Sequence, residues 1–318
     1  MPWTRRCGAG LSAPSNSADA AARADTFGAR LATRARAANS VVCLGLDPRP
    51  GAHPLTAGLA DQAASAAAVT RYLVNVLDAT HDLVACCKPQ SAFFEALGLP
   101  GLEALAAVMG HARSLDLPVI LDAKRGDIGS TAEAYASAYL TEGALAADAL
   151  TVNPYLGLDT LEPFITAAEA GGRGLFVLVR TSNAGSADLQ ELELVGGQPL
   201  YAHLADELTA RAASLPRDAH GYSSLGAVAG ATHPAATREL RKRLPHSLLL
   251  VPGYGAQGGS ADDAAAAFDA NGWGAVVNAS RSLTYPNAAA ATLAGVGAAA
   301  RAAAATMRAD LNHALGRA

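Results

Sequence analysis

The sequence predicts a single (β/α)8 barrel. Two observations carry this: eight short apolar runs alternate with Ala-rich stretches of helical period, and polar or charged residues gather where each run ends. The runs are 41–46, 83–87, 118–121, 147–152, 174–179, 225–229, 247–251 and 274–277. They are rich in Val and Leu and apolar on both faces, as parallel strands covered on both sides are. A doubly wound open sheet is the alternative arrangement of the same units. The polar run ends favour the barrel, because its strand ends share one face.

Taken in order, residues 27–38 predict a short helix leading into the barrel. Val69, Tyr72, Leu73, Val76 and Leu77 form one helical stripe, and Leu102, Leu105, Val108 and Met109 another. The longest irregular stretch, 181–199, follows the fifth run and reads as a lid or binding loop. Residues 288–314 predict the last helix, with Met307, Leu311 and Leu315 spaced four apart. Residues 1–24 hold two arginines and many small residues, without the apolar stretch of a secretory signal. They read as a disordered extension whose deletion leaves activity and melting temperature almost unchanged, with 25–318 as one catalytic domain.

Composition excludes some classes. The net charge is −4 and basic residues are not clustered, so nucleic acid is not an expected partner. No apolar run is long enough to span a membrane. Cys7, Cys43, Cys86 and Cys87 match no zinc or disulfide framework, and Cys86 and Cys87 would point to opposite faces of one strand. Reduced thiols and a cytoplasmic location follow as expectations.

The chemistry collects at the run ends. Asp47 ends the first, Lys88 the second, and Asp122 with Lys124 the third, Asp127 lying just beyond. Carboxylates beside a lysine favour its ammonium form, which suits a cation and proton donor and argues against a Schiff-base amine. The Gly-rich segment after the seventh run and Arg281 after the eighth stand where barrels often bind phosphate. His233 and His53 receive no role.

These segments resemble the orotidine 5′-phosphate decarboxylases in their longer bacterial form. The resemblance rests on Gly45-Leu46-Asp47-Pro48, Lys88-Pro89-Gln90-Ser91-Ala92-Phe93-Phe94-Glu95, Asp122-Ala123-Lys124-Arg125-Gly126-Asp127-Ile128-Gly129-Ser130-Thr131-Ala132 and Val152-Asn153-Pro154-Tyr155. It continues in Arg180-Thr181-Ser182-Asn183, Pro252-Gly253-Tyr254-Gly255-Ala256-Gln257-Gly258-Gly259 and Asn278-Ala279-Ser280-Arg281-Ser282, with Ser280 where a glycine is usual. It implies a cofactor-free and metal-free decarboxylation of orotidine 5′-phosphate to UMP. Asp47 and Lys88 would hold the ribose, Asp122 would face the departing carboxylate, and Lys124 would protonate the ring carbon. Ser182 would read the pyrimidine. Pro252, Gln257, Ser280 and Arg281 would complete the substrate site, with Arg281 on the phosphate. Asp127 and Thr131 would reach into the partner's site of a homodimer. Two rivals remain: a magnesium-dependent sugar-phosphate decarboxylase or synthase of the same superfamily, and a non-catalytic barrel that binds a phosphometabolite.

Overall fold

The eight apolar runs become eight parallel strands in the computed structural model, which describes residues 26–287 and 290–317. The expectations for residues 1–24 and for Cys7 lie outside that range. The strands are β1 (Val42–Leu46), β2 (Cys86–Pro89), β3 (Ile120–Arg125), β4 (Ala149–Val152), β5 (Gly174–Arg180), β6 (Leu225–Ala229), β7 (Leu249–Val251) and β8 (Ala275–Ala279). In chain order the helices are α1 (Phe27–Ala37), α2 (Gln62–Thr80), α3 (Ser91–Glu95), α4 (Gly98–Ser114), α5 (Gly129–Leu140) and α6 (Glu162–Ala170). They continue as α7 (Ala187–Gln190), α8 (Leu200–Ala212), α9 (Pro234–Arg243), α10 (Ala261–Ala265), α11 (Arg281–Thr284) and α12 (Leu293–Ala314).

The strands follow one another around the sheet in the order β2-β1-β8-β7-β6-β5-β4-β3. Two isolated parallel bridges, Cys87 with Val119 and Gln90 with Asp122, bring β2 against β3 and all but close the barrel. The seam is thin for a chemical reason. The Cys87 N–H donates across it to Pro118 O at 3.0 Å. The next N–H on that side would belong to Pro89, which has none.

Two apolar layers hold the barrel. The larger lies between strands and helices, and both predicted stripes enter it, Tyr72, Leu73, Leu105 and Met109 among them, while Leu102 stays half-buried outside it. The smaller fills the barrel interior with Cys43, Cys86, Ile120, Phe176 and Val276. Helix α1 adds Phe27, Leu31 and Ala35 to this inner layer, with Phe27 edge-on to Phe176 at 6.0 Å between centroids. It is therefore a plug, not merely a lead-in. Cys86 faces the inner layer and Cys87 the outer, as their adjacency predicts, and Cys43, Cys86 and Cys87 are free thiols.

Lys88 and Asp122 stand at the ends of the second and third strands as expected, though β2 and β3 extend past the apolar runs to Pro89 and Arg125. Charges can occupy a buried strand end because they pair there. Two other expectations need correction. The last helix begins at Leu293, where the Thr292 hydroxyl accepts the Gly295 N–H at 3.2 Å and caps it, and Leu315 lies past its end. The stretch 181–199 is not structureless: it holds a 3-10 turn, α7 and a bridge between Glu193 and Pro199.

Candidate active site

A cavity of about 720 Å3 opens at the C-terminal ends of the strands. At its floor, β2 and β3 meet around one carboxylate. Asp122 is 6% exposed and has four side-chain donors. Lys88 Nζ and Gln90 Nε2 reach Oδ2 at 2.6 and 2.9 Å. Lys124 Nζ and the Thr151 hydroxyl reach Oδ1 at 2.6 and 2.9 Å. Lys88 and Gln90 share a face of the chain because side chains two apart in an extended segment point the same way.

The electrostatics follow from burial. Burial alone would raise the Asp122 carboxyl, but the charges and hydrogen bonds of Lys88 and Lys124 outweigh it and hold it well below the usual carboxylate range. Burial would lower the Lys88 ammonium, and Asp122 and Asp47 outweigh it and lift it above the usual lysine range. A depressed carboxyl contributes stability above its unfolded value of about 3.9, lost as pH falls through the folded value. A raised ammonium contributes it below about 10.4, lost as pH rises. The Lys88–Asp122 pair thus stays ionised across the whole neutral range. The three side chains together carry two positive charges and one negative, which leaves one positive charge among them.

Lys124 presents that charge. Its side chain is 46% exposed, and among the described residues one of its three N–H groups is used, on Asp122. Its backbone is left-handed, with φ +47°, a conformation that costs a non-glycine residue roughly 1–2 kcal/mol. The strain marks a bulge in β3, where pairing with β4 shifts between Leu121 and Arg125. Such outliers gather at functional sites, where neighbours hold them in place. Arg125, next along, pairs with Glu95 and lies over the rings of Tyr135 and Tyr139, away from the floor.

The walls hold most of the other predicted residues. Asp47, Ser182, Pro252, Gln257, Ser280 and Arg281 all line the cavity. Asp47 Oδ1 is buried without a hydrogen-bond partner among the described residues, so it is an acceptor ready for a donor. Ser280 is accommodated because it faces Gly45, where any Cβ would lie 2.0 Å from the Ser280 Oγ. Arg281 is exposed and makes no ion pair among the described residues. Ser182 sits against Gly230 and Gly253, whose missing side chains leave it room.

The loop that carries Ser182 is held from below. Arg180 is fully buried and bonds Ser186, Gln190 Oε1 at 3.3 Å and Glu191 Oε1 at 2.5 Å. Gln190 in turn accepts the Thr181 N–H at 2.9 Å. The segment predicted as a lid is therefore tied to β5 along its first eleven residues.

Asp127 and Thr131 do not line this cavity. Asp127 Oδ1 accepts the N–H of Ile128 at 2.8 Å, and Thr131 is exposed on α5. Sequence reasoning missed Thr151, and it gave no role to Gln90 and Asn278, although both lie within the longer segments that carry the resemblance. Asn278 lines the cavity with a buried Oδ1 that has no partner among the described residues. The available signal was a polar side chain inside, or one step past, an apolar strand run. Among the described residues no group of three or more His, Cys, Asp or Glu is placed to hold a metal ion, and no helix is long and apolar enough to cross a membrane.

With this geometry in view, comparison with known proteins is specific. Residues 40–294 match the orotidine 5′-phosphate decarboxylase / HUMPS family. An orotidine 5′-phosphate decarboxylase of Rhodopirellula baltica is 49% identical over 269 residues, which covers 82% of this chain and 88% of that protein. One from Deinococcus radiodurans is 45% identical over 291 residues, covering 92% and 98%. The solved structure of Leishmania donovani OMP decarboxylase superposes with a TM-score of 0.73 at 35% identity, covering 92% of this chain and all (100%) of that one.

Proposed function

The chain belongs to the orotidine 5′-phosphate decarboxylase / HUMPS family, and on that premise we propose that it converts orotidine 5′-phosphate to UMP and carbon dioxide, the last step of UMP synthesis. The observation that carries the reading is the Lys88–Asp122–Lys124 array on the floor of a cavity whose wall carries an arginine, Arg281, that makes no ion pair among the described residues.

The reaction breaks one carbon–carbon bond. Its electron pair stays on a pyrimidine ring carbon with poor delocalisation, and carbon dioxide departs. The ammonium of Lys124, anchored on Asp122 with two N–H groups spare, faces the developing charge and stabilises the transition state more than the ground state. It then gives its proton to the ring carbon and recovers one from solvent. Lys88 holds Asp122 ionised against the site of the departing carboxylate. Asp47, with its unpaired Oδ1, takes a ribose hydroxyl together with Lys88. Ser182 and Gln257 hold the pyrimidine, and Pro252, Ser280 and Arg281 close around the phosphate.

The active form is a homodimer in which Asp127 and Thr131 complete the partner's site. Three exposed apolar side chains on neighbouring loops support this: Ile128 at 62%, Tyr155 at 76% and Leu156 at 53%. The loops touch where Gly126 packs on Asn153 O, at a distance that would leave an added Cβ 2.7 Å away. Apolar surface of this kind, rimmed by charge, is what a subunit interface covers.

Product analysis tests the reaction: UMP and carbon dioxide appear in equal amounts from orotidine 5′-phosphate, and any other product overturns the proposal. Phosphate recognition has its own test. Arg281→Ala weakens use of orotidine 5′-phosphate strongly, by about a hundredfold or more in kcat/KM, because a charge-assisted clamp is lost. It hardly changes the slower reaction of orotidine, which has no phosphate. Equal losses on both substrates would assign Arg281 to the fold or to the pyrimidine end.

A further inference from the structure

Strand β4 reads Ala149, Leu150, Thr151, Val152, and Thr151 is 1% exposed among these apolar neighbours. Its hydroxyl makes three hydrogen bonds. Oγ1 accepts the N–H of Ala123 at 3.1 Å and the N–H of Lys124 at 2.9 Å. It donates to Asp122 Oδ1 at 2.9 Å. A hydroxyl has two lone pairs and one hydrogen. The two N–H groups occupy both lone pairs, so the hydrogen is committed to Asp122.

The three partners are consecutive, and they are the residues at which β3 leaves its register. Pairing passes from Leu121 with Leu150 to Arg125 with Val152. Residues 122–124 of β3 therefore stand opposite the single residue Thr151. An ordinary ladder leaves the extra N–H groups of such a bulge without partners. The Thr151 hydroxyl takes the place of the missing carbonyl. It does so beside the left-handed Lys124, whose Nζ contacts the same oxygen, Asp122 Oδ1, at 2.6 Å.

We propose that Thr151 is a positioning residue for decarboxylation: its hydroxyl holds the bulge that aims Lys124 and fixes the rotation of the Asp122 carboxylate that anchors it. The inference rests on the decarboxylase reading of this site. Thr151 acts through Lys124 and Asp122. Its removal therefore moves the reacting cation while the ribose and phosphate contacts, made from other strands, stay in place.

The test compares Thr151→Val, which keeps the shape and loses all three bonds, with Thr151→Ser, which keeps the hydroxyl. Thr151→Val lowers kcat about a hundredfold, the loss expected when a reacting group is displaced by about an ångström. KM and UMP affinity stay within about threefold, and Thr151→Ser stays within about threefold of wild type in kcat. If Thr151→Val does not fold, Thr151→Cys replaces it, with its longer and weaker bonds, and lowers kcat at least about tenfold. The positioning role is overturned by a folded Val or Cys variant with wild-type kcat. It is equally overturned if KM rises as much as kcat falls, or if Thr151→Ser is no faster than Thr151→Val. A wild-type protein that does not decarboxylate orotidine 5′-phosphate overturns the decarboxylase reading itself, and this inference with it.

Discussion

Lys124→Ala removes nearly all turnover while the protein still binds UMP. Lys124 is the cation whose ammonium opens into the cavity from the floor. Lys88 is buried, 3% exposed, and its charge is engaged with Asp122. Loss of one aimed electrostatic group commonly costs a factor of about 10² to 10³ in kcat. In the proposed mechanism the same group also supplies the proton, so the loss is expected at the upper end or beyond. UMP binding is expected to persist because the residues proposed to hold ribose and phosphate are untouched, and Asp122 keeps Lys88, Gln90 and Thr151. Single-turnover measurement of carbon dioxide release, with UMP titration by calorimetry, checks both halves. A variant that keeps more than about a tenth of the wild-type rate contradicts the role.

The second large effect is a recovery. Asp127→Ala alone is expected to be nearly inactive, like Lys124→Ala, if Asp127 completes a partner's site. Asp127 lies three residues beyond Lys124, past the end of β3, and lines no part of its own cavity. Thr131 stands one helical turn further along. In a two-fold dimer each subunit gives this pair to the other. Mixing the two inactive variants under subunit exchange then yields heterodimers with one site lacking both groups and one site lacking neither. Random pairing makes about half the dimers mixed, each with one good site, so activity approaches about a quarter of wild type. No recovery, with exchange verified by differently tagged subunits, would mean that Asp127 acts within its own subunit or not at all.

The legible part of this fold was the part written as repetition. Eight apolar runs alternating with helical stripes gave the barrel, and charges at the run ends gave the face of the site. Sequence position was also enough for Arg281 and the Gly-rich loop, because strands β7 and β8 deliver them to one wall. The rest was hidden for identifiable reasons. Thr151 looks like one more β-branched residue in a strand, and its part in the site depends on a bulge in the neighbouring strand. The left-handed backbone of Lys124 has no local signature, since the residue is neither Gly nor Asn. Arg180 had no role of its own in the sequence reading, yet it is fully buried and ties down the loop that follows. Helix α1 plugs the barrel through Phe27 and Leu31, which an isolated amphipathic pattern cannot distinguish from packing on an outer face.

The central claim is that this chain's own side chains, with Lys124 foremost, carry the decarboxylation without a metal ion. Its most direct test is the fall in orotidine 5′-phosphate absorbance on adding purified wild-type protein, in excess chelator and then with magnesium restored. Full-rate loss of absorbance in chelator, unchanged by magnesium, is the predicted result. Turnover that stops in chelator and returns with magnesium, or tight UMP binding with no turnover under either condition, would contradict it.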